Sequence, residues 1–184
     1  MKKVLLLGDS IRLGYQPFVE ELLKGKAEVY GPDDNCRFAL YTLWHLWQWV
    51  ALSGGDVDVV HWNNGIWDIN THLQDGSSVS TPQEYAVAIR RVLKELRALC
   101  PRAKIIFATT TAVNDKHPNV KNADVAKINA AAIKIMREEG IEINDLNSVT
   151  AENPSYLCED MLHLSGEGYR VAARAVSEAI SRYL

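Results

Sequence analysis

Short apolar segments alternate with amphipathic segments along nearly the whole chain. Apolar runs of strand length predict five strands, at Lys2–Leu7, Ala27–Tyr30, Asp58–Trp62, Lys104–Ala108 and Ile141–Asn144. Apolar residues at helical spacing predict helices over Gly14–Lys24, Phe38–Leu52, Pro82–Leu99, Asp124–Glu139 and Leu164–Leu184. Strands that alternate with helices form a parallel sheet covered on both faces. We therefore predict a single three-layer α/β/α domain over residues 1–184, with five parallel strands in a flavodoxin-like order.

Composition and charge exclude several classes of protein. The chain is 47% hydrophobic and 23% charged, and its net charge of −3 comes without a clustered basic face, so we expect no nucleic-acid partner. The apolar run Val4–Leu7 is too short for a signal peptide, and no segment approaches the roughly 20 apolar residues that span a bilayer. We therefore expect no membrane partner and a cytoplasmic location. Cys36, Cys100 and Cys158 are odd in number and widely spaced, which predicts neither a disulfide framework nor a metal site.

Two short motifs near opposite ends of the chain carry chemically active residues. Gly8-Asp9-Ser10 follows the first predicted strand, and Asp160-Met161-Leu162-His163 precedes the last predicted helix. Both motifs fall at the carboxyl edge of the predicted sheet, where ligands bind in open α/β folds. An aspartate three residues before a histidine can orient the imidazole, which can then activate a serine. The pair predicts a nucleophile, a base and an orienting acid at one site.

These motifs resemble those of the SGNH hydrolases, also called the GDSL esterase/lipase family. Gly8-Asp9-Ser10-Ile11 is similar to the family's nucleophile block and Asp160-Met161-Leu162-His163 to its Asp-x-x-His block, in the same order along nearly the whole chain. The resemblance implies a flavodoxin-like SGNH hydrolase fold and no cofactor. It also implies that Ser10 is the nucleophile, His163 the general base and then acid, and Asp160 the orienting carboxylate.

The sequence departs from this family at the two blocks that complete the oxyanion hole. The family combines the serine N–H with a second backbone N–H, usually from a glycine, and an asparagine side chain. Cys36 stands at the expected glycine, and its N–H can serve equally. In the other block Trp67 takes the place of the asparagine. We therefore expect the oxyanion donors to be Ser10, Cys36 and Asn64, with Asn63 as the next choice for the amide.

The remaining site expectations concern the substrate. Asp9, Arg37 and Trp67 are candidates for substrate binding, and His72 and His117 lie in loops that can reach the same edge. We expect a serine ester hydrolase that acts through an acyl-enzyme on small or short-chain acyl esters, including O-acetylated sugars. An O-acyltransferase of the same fold and a binding module with weak catalytic activity are the alternatives. The sequence gives no indication of the oligomeric state.

Overall fold

A parallel five-stranded sheet forms the centre of the computed structural model, which describes all 184 residues. Its strands are β1 (Lys2–Leu7), β2 (Ala27–Tyr30), β3 (Val59–Trp62), β4 (Lys104–Ala108) and β5 (Glu142–Asn144). They lie in the order β2-β1-β3-β4-β5, and every neighbouring pair is parallel. This is the flavodoxin-like order, and the predicted fold class is confirmed.

Helices cover both faces of the sheet. They are α1 (Ser10–Leu22), α2 (Ala39–Ala51), α3 (Ile66–Ile69), α4 (Pro82–Leu99), α5 (Asn122–Glu138), α6 (Leu146–Ala151) and α7 (Gly166–Ser181), with a 3-10 turn at Pro154–Tyr156. Residues of α1 and α7 share one hydrophobic core with the sheet, and residues of α2, α4 and α5 share the other. No helix combines the length and apolarity that crossing a membrane would require.

Strand β1 lies between these two cores, which explains the unbroken apolar run Val4–Leu7 in its sequence. Successive side chains of a strand point to opposite faces. Leu5 and Leu7 belong to the core beneath α2, α4 and α5, and Val4 and Leu6 belong to the core beneath α1 and α7. All four side chains are fully buried. The two lysines that begin β1 are not buried, and from Val4 to Leu7 both faces of the strand are covered, so this part of the strand is apolar until the chain leaves the sheet at Gly8.

Capping residues determine where the helices begin. The Asp9 side chain accepts a hydrogen bond from the N–H of Ile11, so α1 begins at Ser10, earlier than the predicted Gly14. The last helix begins at Gly166, later than predicted, because Ser165 caps it through the N–H of Gly168. The helix α4 begins at Pro82 because the Thr81 hydroxyl accepts the N–H of Glu84.

A buried histidine lies in the middle of the sheet. His61 in β3 is fully buried, with its Nε2 3.1 Å from the Asn144 side-chain amide and its Nδ1 3.5 Å from the Tyr15 hydroxyl. Burial lowers the pKa of His61 to about 3, so the ring is neutral at physiological pH. Its role is therefore structural.

Candidate active site

Ser10 occupies the first position of α1, directly after the turn that ends β1. The first N–H groups of a helix have no intrahelical acceptor, so the Ser10 N–H remains free for a ligand. The turn brings the helix close to the strand: a Cβ at Gly8 would lie 2.7 Å from the Cβ of Arg12. Glycine at this position allows the nucleophile turn to be this tight.

The segment before α7 folds back on itself and fixes His163. Its N–H groups at Leu162 and His163 donate to Asp160 Oδ1 at 3.0 and 2.9 Å, and His163 Nδ1 lies 2.6 Å from Asp160 Oδ2. Met161 adopts the left-handed region, with φ 68°, which lets the carboxylate turn back onto the ring. Burial by itself would raise the pKa of Asp160, but these hydrogen bonds outweigh it and hold the pKa below its usual value.

The two segments meet at one pair of atoms. His163 Nε2 lies 2.8 Å from Ser10 Oγ, although the residues are 153 positions apart in sequence. Serine, histidine and aspartate thus form a continuous chain of hydrogen bonds. This is the order of contacts that activates a serine nucleophile, and it places the three predicted catalytic residues together.

The three hydrogen-bonded residues lie at the surface of a cleft of about 410 Å³. The cleft is lined by Ser10, Asn35, Ile66, Trp67, Asn70, His117, Asp160, Leu162 and His163. Only three of these side chains are apolar. No group of three or more His, Cys, Asp or Glu side chains in the protein could hold a metal ion.

Two asparagines present N–H groups in this cleft, because their side-chain oxygens are already bonded. Asn35 Oδ1 accepts the N–H of Arg37 at 2.8 Å. Asn70 Oδ1 accepts the N–H of His72 at 3.1 Å and lies 2.8 Å from its ring Nδ1. Neither side-chain NH2 donates to another group of the protein. Neither asparagine could be predicted as a donor from the sequence, since a loop asparagine carries no signal beyond turn propensity.

His117 contributes a third donor. Its Nδ1 lies 3.2 and 3.1 Å from the N–H groups of Asn119 and Val120, so Nδ1 is an acceptor and the ring proton sits on Nε2. Burial lowers the pKa of His117, and the Asp160 carboxylate opposes this effect. The ring is therefore a neutral donor, and its presence in the cleft agrees with the expectation that it can reach substrate.

Cys36, predicted as an oxyanion donor, does not line the cleft. Its N–H donates to the Gly8 carbonyl at 3.1 Å, and its side chain is fully buried. Burial raises the pKa of the Cys36 thiol to about 11. The residue therefore ties its loop to the nucleophile turn and offers no free donor.

Asn64, the second predicted donor, is also engaged inside the protein. The side chain is fully buried and donates to the Arg37 carbonyl at 3.0 Å and the Thr42 hydroxyl at 2.8 Å, while its oxygen accepts the Trp62 indole N–H. The amide of Asn63, the next choice, donates to the Ala108 carbonyl at 2.8 Å. The Asn64 amide is unavailable to an oxyanion, because both of its hydrogens are bonded inside the protein. Asn63 is half-buried and uses only one amide hydrogen, but it does not line the cleft.

Of the three predicted substrate contacts, only Trp67 lines the cleft. Asp9 is 2% exposed and is the N-cap residue of α1, directly before Ser10. Burial raises the pKa of its carboxyl group, against the lowering effect of its hydrogen bond to the Ile11 N–H and of the Arg12 charge. The Arg37 guanidinium lies over the Tyr41 ring, 4.8 Å from its centre, and not in the cleft.

Comparison with known proteins agrees with this geometry. The model of the GDSL-like lipase/acylhydrolase family matches residues 6–171. The chain belongs to this family. The resemblance stated from the motifs is confirmed, and so is the prediction of a carboxylic ester hydrolase.

Solved structures of similar proteins share the fold over their whole length. An acetyl xylan esterase, AlAXEase, is 21% identical with a TM-score of 0.81, over 97% of this chain and 99% of that one. A lipase/acylhydrolase from Enterococcus faecalis is 18% identical with a TM-score of 0.82, over 99% and 96% of the two chains. A carbohydrate esterase family 3 protein from Talaromyces cellulolyticus is 18% identical with a TM-score of 0.80, over 99% and 97%. No curated protein sequence matches the chain.

Proposed function

We propose that this protein hydrolyses short-chain acyl esters of polar alcohols through an acyl-enzyme, with Ser10, His163 and Asp160 as the catalytic triad. One observation carries the proposal: an unbroken chain of hydrogen bonds, 2.8 Å and 2.6 Å long, runs from Ser10 Oγ through the imidazole to Asp160 and opens into the cleft. Membership of an acylhydrolase family supports the same chemistry.

The reaction proceeds in two steps, acylation of Ser10 and then hydrolysis of the acyl-enzyme. Ser10 Oγ attacks the ester carbonyl carbon as its proton moves to His163 Nε2, and the carbonyl π electrons move onto the oxygen. Collapse of this tetrahedral intermediate breaks the bond to the alcohol, which leaves with the proton from His163. Water then gives a proton to the same nitrogen and attacks the acyl carbon. Collapse of this second tetrahedral intermediate breaks the bond to Ser10 Oγ, which takes the proton back from His163 as the acid leaves. Asp160 keeps Nδ1–H of the ring oriented in both steps and stabilises the imidazolium.

The lining of the cleft supports a small acyl group and a polar alcohol. Ile66, Trp67 and Leu162 are the apolar side chains available to an acyl group, and they do not form a long apolar channel. The donors of Asn70 and His117 suit hydroxyl and ether oxygens. Similarity to an acetyl xylan esterase and a family 3 carbohydrate esterase supports O-acetylated carbohydrate as the substrate class.

Replacement of the nucleophile tests the mechanism. Ser10→Ala should abolish hydrolysis of p-nitrophenyl acetate and prevent labelling by a fluorophosphonate, which reacts with activated serines. Ser181→Ala is the matched control, because Ser181 is exposed at the end of α7 and should be neither labelled nor required. Turnover by purified Ser10→Ala protein would refute the assignment.

A substrate series tests the specificity. Among p-nitrophenyl esters from acetate to palmitate, kcat/KM should be highest for the shortest acyl groups, and acetylated oligosaccharides should release free acetate. Preference for palmitate would contradict the substrate class. Appearance of the acetyl group on an added oligosaccharide, without free acetate, would show transfer in place of hydrolysis.

A further inference from the structure

We propose that the side-chain amide of Asn35 stabilises the oxyanion during acyl transfer, together with the N–H of Ser10. The proposal rests on the serine esterase function above. A tetrahedral intermediate places negative charge on the former carbonyl oxygen, and removal of one donor to that charge typically costs 10²–10³ in kcat. The structure leaves Cys36 and Asn64 without a free donor, so another group must serve.

Asn35 has the hydrogen-bonding pattern that this task requires. It is half-buried and lines the same cleft as Ser10 and His163. Its Oδ1 accepts the N–H of Arg37 at 2.8 Å, which fixes which end of the amide is the acceptor. The NH2 group is therefore free, and the backbone N–H of Asn35 also donates to no group of the protein. Both unused donors belong to one residue beside the nucleophile.

The loop that carries Asn35 is held rigidly against the nucleophile turn. Arg12 is 1% exposed, and its guanidinium donates to the carbonyls of Pro32 at 2.8 Å and Asp34 at 2.7 Å. On the other side of Asn35, the N–H of Cys36 donates to the carbonyl of Gly8, two residues before Ser10. The asparagine is thus fixed from both sides. Such preorganisation lets a donor stabilise charge without reorganising during the reaction.

The buried Asn64 holds the segment that directly follows the Asn35 loop. It donates to the Arg37 carbonyl and the Thr42 hydroxyl of that segment. Arg37 itself has φ 48°, a left-handed conformation that is uncommon outside glycine. We infer that Asn64 is a positioning residue for this strained turn, while the amide that faces the cleft comes from Asn35.

Asn35 also differs from the other cleft amide. The oxygen of Asn70 is bonded to His72, which is exposed, and no hydrogen bond joins this pair to the nucleophile turn. Asn70 therefore lacks the two anchors that fix Asn35 beside Ser10.

Asn35→Asp separates a donor role from a structural one. Aspartate keeps the oxygen that accepts the Arg37 N–H and loses both amide hydrogens, so the turn is preserved. With p-nitrophenyl acetate, Asn35→Asp and Asn35→Ala should lower kcat by about 10²–10³-fold with little change in KM. Affinity for a phenylboronic acid, which forms a tetrahedral adduct with a reactive serine, should fall in parallel. Asn35→Ala, which removes the same donor without adding a charge to the cleft, is the matched control for the carboxylate of Asn35→Asp.

The outcomes separate this inference from the esterase assignment. Wild-type kcat in both Asn35 variants, with an inactive Ser10→Ala protein, would overturn the role of Asn35 and leave the esterase function standing. Loss of kcat in Asn35→Asp with wild-type kcat in Asn35→Ala would show an effect of charge and would also overturn it. Loss of kcat in Asn64→Asp with an unchanged melting temperature would assign the donor to Asn64 instead. Turnover by Ser10→Ala would reject the esterase mechanism itself.

Discussion

Asp68→Asn should remove a loss of folding stability that occurs in the wild-type protein as the pH rises. Asp68 in α3 is fully buried and accepts the N–H of Ala39, the first residue of α2, at 3.1 and 3.2 Å. Burial raises the pKa of Asp68 to about 7, although the hydrogen bonds from Ala39 and Ser80 act in the opposite direction. Asparagine has nearly the same shape, can still accept the Ala39 N–H, and does not titrate.

The sign and size of the effect follow from the raised pKa. The folded protein binds the Asp68 proton more tightly than the unfolded chain does, where the pKa is the ordinary 3.8. The stability that Asp68 contributes is therefore complete below about pH 4 and is lost as the pH rises to about 7. A difference of about three pKa units corresponds to roughly 4 kcal/mol. The free energy of unfolding of Asp68→Asn relative to wild type should rise by about this amount over that range and then stay level.

Urea unfolding at a series of pH values from 4 to 8 measures this difference directly. Asp58→Asn is the control of opposite sign, because the hydrogen bonds from the Lys2 side chain and the Lys3 N–H lower the pKa of Asp58. The stability from Asp58 is therefore complete above about pH 4 and is lost only below it, so Asp58→Asn should give a level difference from pH 4 to 8 and a change only in more acid solution. If Asp68→Asn shows no pH-dependent gain, or a gain that shrinks toward pH 7, hydrogen bonding outweighs burial at this carboxylate and the reasoning is refuted.

Two further substitutions test the orienting acid and a helix cap. Asp160→Asn should lower kcat on p-nitrophenyl acetate by up to about 10⁴-fold, since the His163 ring loses its tautomer and orientation. A fluorophosphonate should still bind in the cleft without reacting with Ser10. Unchanged kcat would remove Asp160 from the triad. Thr81→Ala should lower the free energy of unfolding by about 1 kcal/mol in urea, with normal kcat, because Thr81 and Glu84 form a reciprocal capping box at the start of α4. A loss of activity without a loss of stability would contradict this assignment.

Local patterns in the sequence predicted the strands and the two motifs whose side chains the fold brings into contact. The four apolar residues of β1 must be buried on both faces, and the Gly-Asp-Ser turn that follows carries its own helix cap, so Ser10 could be placed at the sheet edge. Asp160 and His163 are three residues apart and contact each other through a single turn. Each of these features depends on neighbours in sequence, and the parallel sheet order then brings the two motifs together.

Short helices and the oxyanion donors could not be predicted in the same way. The helix α3 spans Ile66–Ile69, has no side-chain cap at its start and is too short for a helical apolar pattern to show. The role of Asn64 depends on Arg37 and Thr42, which are distant in sequence and become its partners only in the folded chain. A motif alignment can locate an asparagine near the site, but the direction of its amide depends on tertiary hydrogen bonds.

Asn64, which lies just before α3, and Asp68, which lies within it, hold the same segment of the chain. Asn64 bonds the Arg37 carbonyl and the Thr42 hydroxyl, and Asp68 bonds the Ala39 N–H, so both hold the segment that follows the Asn35 loop. Substitutions at Asn64 and Asp68 should therefore change stability first, and activity only through the position of that loop. Substitutions at Asn35 should change kcat with little effect on stability, because its amide hydrogens have no partner within the fold. A matched set of urea midpoints and kcat values would therefore separate the residues that support the site from the residue that contacts the reacting oxygen.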